Sequence, residues 1–219
     1  MKEYMRLAAG MVLLPLIYWG TVMVYRPAFQ EDKNRQRRPL CSPTELVVMA
    51  CAEAALIGIW RSGVFSAGSS MRFQMLFVML AAMAVICMTD LWERVVPNSI
   101  LLVLLFLFII IVGLQGVKDM DVVLNALPSI LLGFLFCALS FGLCYLLSKR
   151  NMGAGDVKLA LVMGLYLTGE YVVGAVLYGC IAAAAFSAAQ LIRKKMSRKD
   201  TIPFVPFLYM GLVISYLAG

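Results

Sequence analysis

The chain has 219 residues, of which 63% are hydrophobic and 14% are charged, and its mean hydropathy is +0.90. This composition excludes a soluble domain, because too few polar side chains remain to form a hydrated surface. The net charge of +7 does not indicate a nucleic-acid partner, since the basic residues lie in short segments between apolar runs and form no stripe. Anionic membrane lipid is the partner that this pattern indicates.

Eight apolar stretches predict an all-α fold, a polytopic transmembrane helical bundle of about eight spans that forms a single domain over residues 1–219. An apolar helix of about 20 residues crosses a hydrocarbon core of ~30 Å. The stretches are 7–25, 45–60, 73–89, 99–114, 122–147, 157–167, 171–192 and 203–218. The sixth is short for a full span, so we expect a helix that packs inside the bundle.

The distribution of positive charge predicts the orientation of the bundle. Lys and Arg are retained on the cytoplasmic side of membranes. If the N-terminus faces outward, fourteen of the 19 Lys and Arg residues fall on the inner side. Segment 26–44 is then a short basic cytoplasmic loop, and Asp90 and Asp156 share the cytoplasmic face.

Two acidic residues stand at the ends of apolar stretches, where an ionised group is costly and therefore indicates function. Asp90 follows the stretch 73–89, and Asp156 opens the short stretch 157–167. Gly153 and Gly155 precede Asp156 and permit close approach of the backbone. The two positions suggest a pair of interacting carboxyl groups.

The absence of histidine from the sequence narrows the chemistry. It excludes Ser-His-Asp and Cys-His nucleophiles and histidine-ligated zinc. The six cysteines lie mostly within apolar stretches and form no Cys-x-x-Cys pair, so we expect neither a metal nor a cofactor. Two neighbouring aspartates can share one proton, and one then acts as a base while the other acts as an acid.

Each acid also has a simpler interpretation. Asp156 at the start of a helix is suited to capping the N–H groups of that helix. Asp90 is spaced to pair with Arg94 on the next turn. Glu53 lies inside a stretch and is the better candidate for an ion-translocating carboxylate. A carboxylate-dependent, proton-coupled transporter or channel is therefore the alternative function.

Three motifs resemble those of type IV prepilin peptidases, the GxGD-type membrane aspartyl proteases of bacterial pilus and type II secretion systems. The run from Gly153 to Leu159 is similar to the Gly-x-Gly-Asp-x-Lys-Leu signature of that family. Asp90 with Pro97-Asn98 resembles its first motif, with Val96 in place of isoleucine. The run Ile202 to Leu208 is similar to its Pro-Phe-Gly-Pro-Phe-Leu segment, with Val205 in place of glycine. The resemblance covers residues 89–219.

The resemblance implies an aspartic endopeptidase (a hydrolase) with Asp90 and Asp156 as the catalytic pair. The motif residues that would support them are Gly153, Gly155, Lys158, Pro97, Asn98, Pro203 and Pro206. The implied substrate is a prepilin or pseudopilin, whose short basic leader is cut after a glycine that precedes an apolar helix. The implied location is the bacterial inner (cytoplasmic) membrane, with the active site on the cytoplasmic side. Presenilin-like cleavage of other membrane helices fits less well, because the first and third motifs are of the prepilin type.

The N-terminal region departs from the full-length family pattern. Bifunctional members carry two Cys-x-x-Cys pairs in a large cytoplasmic loop, and these pairs are associated with N-methylation of the mature pilin. The loop 26–44 contains only Cys41. We therefore expect a short form without N-methyltransferase activity.

Overall fold

The computed structural model describes residues 70–147, 152–167, 169–193 and 202–218. Within these ranges the chain forms six α-helices and no strand, which confirms the all-α prediction. The helices are α1 (Ser70–Glu93), α2 (Asn98–Lys118), α3 (Met120–Leu147), α4 (Ala154–Tyr166), α5 (Gly169–Ile192) and α6 (Val205–Ala218). The predicted spans 7–25 and 45–60 and the loop 26–44, with Cys41 and Glu53, lie outside the described residues.

Four of these helices are long and apolar enough to cross a membrane. The candidate spans lie in α1, α2, α3 and α5, at Met71–Leu91, Asn98–Lys118, Met120–Leu147 and Tyr171–Ile192. Helices α4 and α6 have 13 and 14 residues and are shorter than a span of about 20 residues. An integral membrane protein is thus supported, but the predicted total of about eight spans is not confirmed.

Helix α1 lies in the interior of the bundle. Its methionines at positions 71, 75, 79 and 83 are spaced by four residues, so they share one face, and all four are buried. By contrast, α2 and α3 expose many large apolar side chains, as expected for surfaces that contact lipid. The C-terminal end of α1, including Thr89 and Asp90, is buried as well. This helix therefore carries an acidic side chain into the protein interior.

Helix α4 is buried against α2 and α3, which confirms the prediction of a short helix packed inside the bundle. The hydroxyl of Tyr166 donates a hydrogen bond to the carbonyl of Leu104 on α2 at 2.6 Å. At the start of α5, the N–H of Gly169 donates to Ser129 Oγ on α3 at 3.1 Å. These side chains and carbonyls satisfy polar groups where the chain turns between two helices.

Helices α5 and α6 pack at very short distance through glycine. A Cβ atom on Gly211 would collide with the carbonyl oxygen of Ala175 and lie 2.9 Å from the Cα atom of Gly179. Small residues of this kind allow helix backbones to approach closely. The rings of Tyr171 and Tyr216 also stack at 4.2 Å between centroids. Together these contacts fix the position of α6.

The order of the helices brings three segments to one end of the bundle. Helix α2 runs away from the end of α1, and α3 returns, so α4 begins at the same end. The first turn of α6 reaches this end too, since Val205 contacts Asp90. We call this end the acidic end, defined by Asp90, Asp156 and Val205.

Candidate active site

Asp90 lies in the last turn of α1 and is almost completely buried, with 4% of its surface exposed. Its Oδ2 atom accepts a hydrogen bond from the backbone N–H of Val205 at 3.0 Å. The two residues are 115 positions apart in sequence, and the contact joins the end of α1 to the start of α6. A carboxyl group buried at this depth is thus held by the backbone of another helix.

Helix α1 ends at Glu93, three residues after Asp90, and a short turn leads to α2. Arg94 adopts a φ of 55°, and its N–H donates to the carbonyl of Asp90 at 3.0 Å, which ends α1 in a left-handed residue. The Arg94 side chain interacts electrostatically with the Asp90 carboxylate, as the spacing predicted. Pro97 is the N-cap of α2, where the missing proline N–H costs nothing. Asn98 is the first residue of that helix.

Asp156 lies in the first turn of α4, two residues after the helix begins at Ala154. The alternative interpretation of Asp156 as the helix cap does not hold, because the N-cap residue is Gly153 and no side-chain capping bond forms. Burial of the Asp156 carboxyl and, secondarily, the negative charge of Asp90 raise the pKa of Asp156 from 3.8 to about 6. The two acidic residues therefore lie close enough to influence each other's ionisation.

Gly155 allows α4 to approach the turn that follows Asp90. A Cβ atom on Gly155 would lie 3.0 Å from Cβ of Val96, which is itself buried. A Cβ on Gly153 would lie 3.0 Å from Oδ2 of Asp156. The two glycines thus leave room for the neighbouring segment and for the carboxyl group, as their place in the sequence suggested.

Lys158 connects the second motif to the first. Its Nζ atom donates a hydrogen bond to Oδ1 of Asn98 at 3.1 Å, and both side chains are exposed. This contact links the first turn of α4 to the first turn of α2. Since Asp156 lies in that same turn of α4, the contact restrains the approach of Asp156 to Asp90.

Pro203 and Pro206 flank the start of α6. Pro203 lies in the irregular segment before the helix, and Pro206 is its second residue. The ring of Phe204, between them, packs against the ring of Phe141 on α3, with 6.0 Å between centroids. The third motif therefore positions the backbone that reaches Asp90, a role that its prolines alone did not reveal.

The structure thus brings all nine predicted site residues to the acidic end. Sequence reasoning missed the backbone N–H of Val205, the side chain of Val96 and the ring of Phe141. Only Val205 left a signal: it begins a helix beside a proline, and the first N–H groups of a helix need outside partners.

The arrangement suits proton transfer between two carboxyl groups that differ in burial. The buried carboxyl group of Asp90 interacts electrostatically with the half-buried carboxyl group of Asp156, whose pKa is raised to about 6. Within the described part of the chain, no three residues of the His, Cys, Asp and Glu types gather as a metal site. The groups that the site offers are an acid, a base and backbone donors.

Comparisons with known proteins identify the family. The model of the type IV leader peptidase family matches residues 77–188, slightly more than half of the chain and including both aspartates. The prepilin leader peptidase/N-methyltransferase of Bacillus subtilis (strain 168) is 25% identical over 194 residues, which cover 87% of this chain and 73% of that protein. No solved structure matches the chain. The match over residues 77–188 shows that this chain belongs to the type IV leader peptidase family.

Proposed function

We propose that the chain is a membrane aspartyl endopeptidase that removes the short basic leader of type IV prepilin-like proteins, with Asp90 and Asp156 as its catalytic pair. The observation that carries this proposal is the electrostatic interaction between the buried carboxyl group of Asp90 and the half-buried carboxyl group of Asp156. Burial and, secondarily, the charge of Asp90 raise the pKa of Asp156 to about 6. Family membership supplies the reaction class. It also favours hydrolysis over the transport alternative, which would use the same acids to conduct ions.

The pair can hydrolyse an amide without any other reagent than water. The ionised carboxylate takes a proton from water, whose oxygen attacks the scissile carbonyl carbon. The protonated carboxyl gives its proton to the carbonyl oxygen, and a gem-diol forms. The proton taken from water then passes to the leaving nitrogen as the C–N bond breaks, and a gem-diol hydroxyl restores the other carboxyl.

The substrate class follows from the family and from the Bacillus relative, whose name gives it a prepilin leader as substrate. We propose cleavage after the glycine that precedes the apolar helix of a prepilin or pseudopilin. That helix would pack among the spans while its basic leader stays in the cytoplasm. The acidic end would then face the cytoplasm of a bacterium, at its inner membrane.

Substitution of each acid tests the proposed pair. Asp90→Asn and Asp156→Asn should each abolish cleavage of a purified prepilin in detergent, because an amide cannot exchange the required proton. Asp121→Asn is the matched control, since Asp121 is exposed in the first turn of α3, at the opposite end of the bundle. Size-exclusion profiles should be unchanged for all three. Wild-type cleavage by either Asp90→Asn or Asp156→Asn would refute the pair.

Reporter fusions test the proposed orientation. Fusions after Arg35, Met152 and Lys195 should report a cytoplasmic location, and fusions after Gly68 and Lys118 an external one. Of the five Lys and Arg residues in the described ranges, Arg94, Lys158 and Arg193 lie toward the acidic end, and Arg72 and Lys118 lie toward the other end. This excess favours the proposed orientation. An external signal after Met152 would contradict it.

We further propose that the chain does not methylate its product. The segment 26–44, predicted to be a loop, contains only Cys41, and the proposed peptidase chemistry needs neither a metal nor a methyl donor. Chelators should therefore leave cleavage unchanged, and the mature product should carry a free α-amine. Mass spectrometry of the new N-terminal peptide, from a reaction reconstituted with S-adenosylmethionine, would show a gain of one methyl group if this is wrong.

A further inference from the structure

The start of α6 leaves one backbone N–H without a partner inside its own helix. The N–H groups of Phe207 and Leu208 donate to the carbonyl of Phe204, at 3.1 and 3.2 Å. Phe204 is therefore the N-cap and Val205 the first helical residue. Pro206, the second, has no N–H to satisfy. Val205 thus carries an N–H that only a group outside the helix can accept.

Asp90 supplies that acceptor. Its Oδ2 lies 3.0 Å from the Val205 nitrogen, and the backbone of Phe204 contributes a second interaction with the same carboxylate. Val205 is fully buried, so water does not compete for this bond. A carboxylate that accepts N–H groups at the positive end of a helix is favoured in its ionised form.

The environment of Asp156 favours the opposite state. Within the described residues, no backbone N–H donates to the Asp156 carboxyl group in the way that the Val205 N–H donates to Asp90. Instead, burial and the neighbouring charge of Asp90 raise its pKa to about 6. Burial disfavours the charged form of both carboxyl groups, but the backbone of Val205 and Phe204 and the charge of Arg94 offset it at Asp90, whereas the charge of Asp90 adds to it at Asp156. Asp156 is therefore the member of the pair that we expect to hold the proton.

We propose that the backbone N–H of Val205 is a positioning group that holds Asp90 ionised, so that Asp90 is the general base and Asp156 the general acid. This assignment rests on the proposed function. Asp90 takes the proton from the attacking water and later gives it to the leaving nitrogen. Asp156 protonates the carbonyl oxygen and recovers a proton when the gem-diol collapses. All atoms and charges balance with one water consumed.

Within the described residues, the titratable groups that interact with Asp90 lie on two segments. On its own segment, Cys87 and Arg94 interact with it electrostatically. The facing turn of α4 adds Asp156 and, bonded to Asn98, Lys158. Titratable residues elsewhere on the described helices include Lys118 at the far end of α2, Tyr145 near the end of α3, Tyr166 on α4, and Tyr209 and Tyr216 on α6. Arg94 and the α6 backbone are therefore the groups that favour a negative charge on Asp90.

Val205→Pro removes the proposed donor alone. Proline suits the first position of a helix and has nearly the volume of valine. We expect the acidic limb of kcat/KM against pH to move to higher pH by about one unit. The basic limb, which reports Asp156, should stay in place. The probe is a synthetic peptide with a basic leader, a Gly-Phe junction and an apolar segment.

Val205→Ala is the matched control, because it shortens the side chain and keeps the N–H. Its acidic limb should stay at the wild-type pH whatever its rate. Two results would overturn the positioning role. In one, the acidic limb of kcat/KM for Val205→Pro stays at the wild-type pH. In the other, the acidic limb for Val205→Ala moves as far as that for Val205→Pro. Melting curves of both variants identify loss of folding.

Infrared spectroscopy gives a second test that needs no α6 variant. Just below pH 6, the wild-type protein should show the carbonyl stretch of a protonated carboxyl group, and Asp156→Asn should lose it. Retention of that band in Asp156→Asn would reverse the assignment. The proposed function fails on a separate outcome, namely cleavage by Asp90→Asn or Asp156→Asn.

Discussion

The two acids of the site are placed by different parts of the structure. Asp90 ends a long buried helix, and its carboxyl is held by a residue 115 positions away in sequence. Asp156 lies in the first turn of a short helix, next to the glycines of its own motif. The position of Asp90 thus depends on the packing of the whole bundle, whereas the position of Asp156 depends mainly on local sequence.

The largest effect on stability and cleavage should come from displacing α6, whose Val205 contacts Asp90. Gly211→Ala places a methyl group against α5 at Ala175 and Gly179, where the nearest atoms belong to the backbone and cannot rotate aside as a side chain could. Helix α6 must then shift, and the Val205 contact with it. We expect a loss of stability of about 1–3 kcal/mol or more, together with at least a tenfold loss of cleavage.

Gly113→Ala is the control for Gly211→Ala. Gly113 lies inside α2, and a Cβ atom there meets nothing within 4 Å. This variant should be as stable as the wild type or more stable by ~0.5–1 kcal/mol, because alanine favours helices. Thermal unfolding in detergent measures both variants. Equal melting temperatures for the two variants would show that α6 tolerates displacement.

The pH dependence of cleavage probes Asp156 next. Its carboxyl must be protonated to act as an acid, and its pKa is about 6. Above this pH the protonated fraction falls, so kcat/KM should decline by about tenfold per unit. Activity that stays constant from pH 6 to 8 would show that the proton comes from another group. Hydrolysis of the synthetic leader peptide over this range is the measurement.

The difference between the two acids also explains what the sequence could predict. Gly155 and Lys158 stand beside Asp156, so their motif indicated the local surroundings of that residue correctly. The start of α4 at Ala154 was missed, because two glycines and a first-turn acid do not distinguish a loop from a helix. The Val205 bond to Asp90 was beyond sequence reasoning, since it depends on how α5 and α6 pack. The replacement of glycine by Val205 in the third motif does not affect it, because the donor is a backbone group.

A smaller effect on cleavage is expected from the hydrogen bond between the first turns of α2 and α4. Asn98→Ala and Lys158→Met each remove the 3.1 Å bond between α2 and α4. A hydrogen bond to a charged but exposed group is worth about 1 kcal/mol, so each should lower kcat/KM about fivefold. The double variant should be no worse than either single variant. Lys118→Met, at the opposite end of α2, is the control. If the losses of kcat/KM in the two single variants multiply in the double variant, the bond does not restrain Asp156.

The smallest effect is on stability, and it should appear for Asp156 as a function of pH. The folded protein binds the Asp156 proton more tightly than the unfolded chain, because the pKa is about 6 rather than 3.8. The folded state therefore loses stability as pH rises between these two values, and the loss is complete above about pH 6. Asp156→Asn carries no charge and escapes this loss. Its melting temperature should exceed that of the wild type by several degrees at neutral pH, and the gap should close as the pH falls toward 4. A gap that stays constant with pH would mean that the asparagine improves packing, and that the buried charge of Asp156 costs the fold nothing.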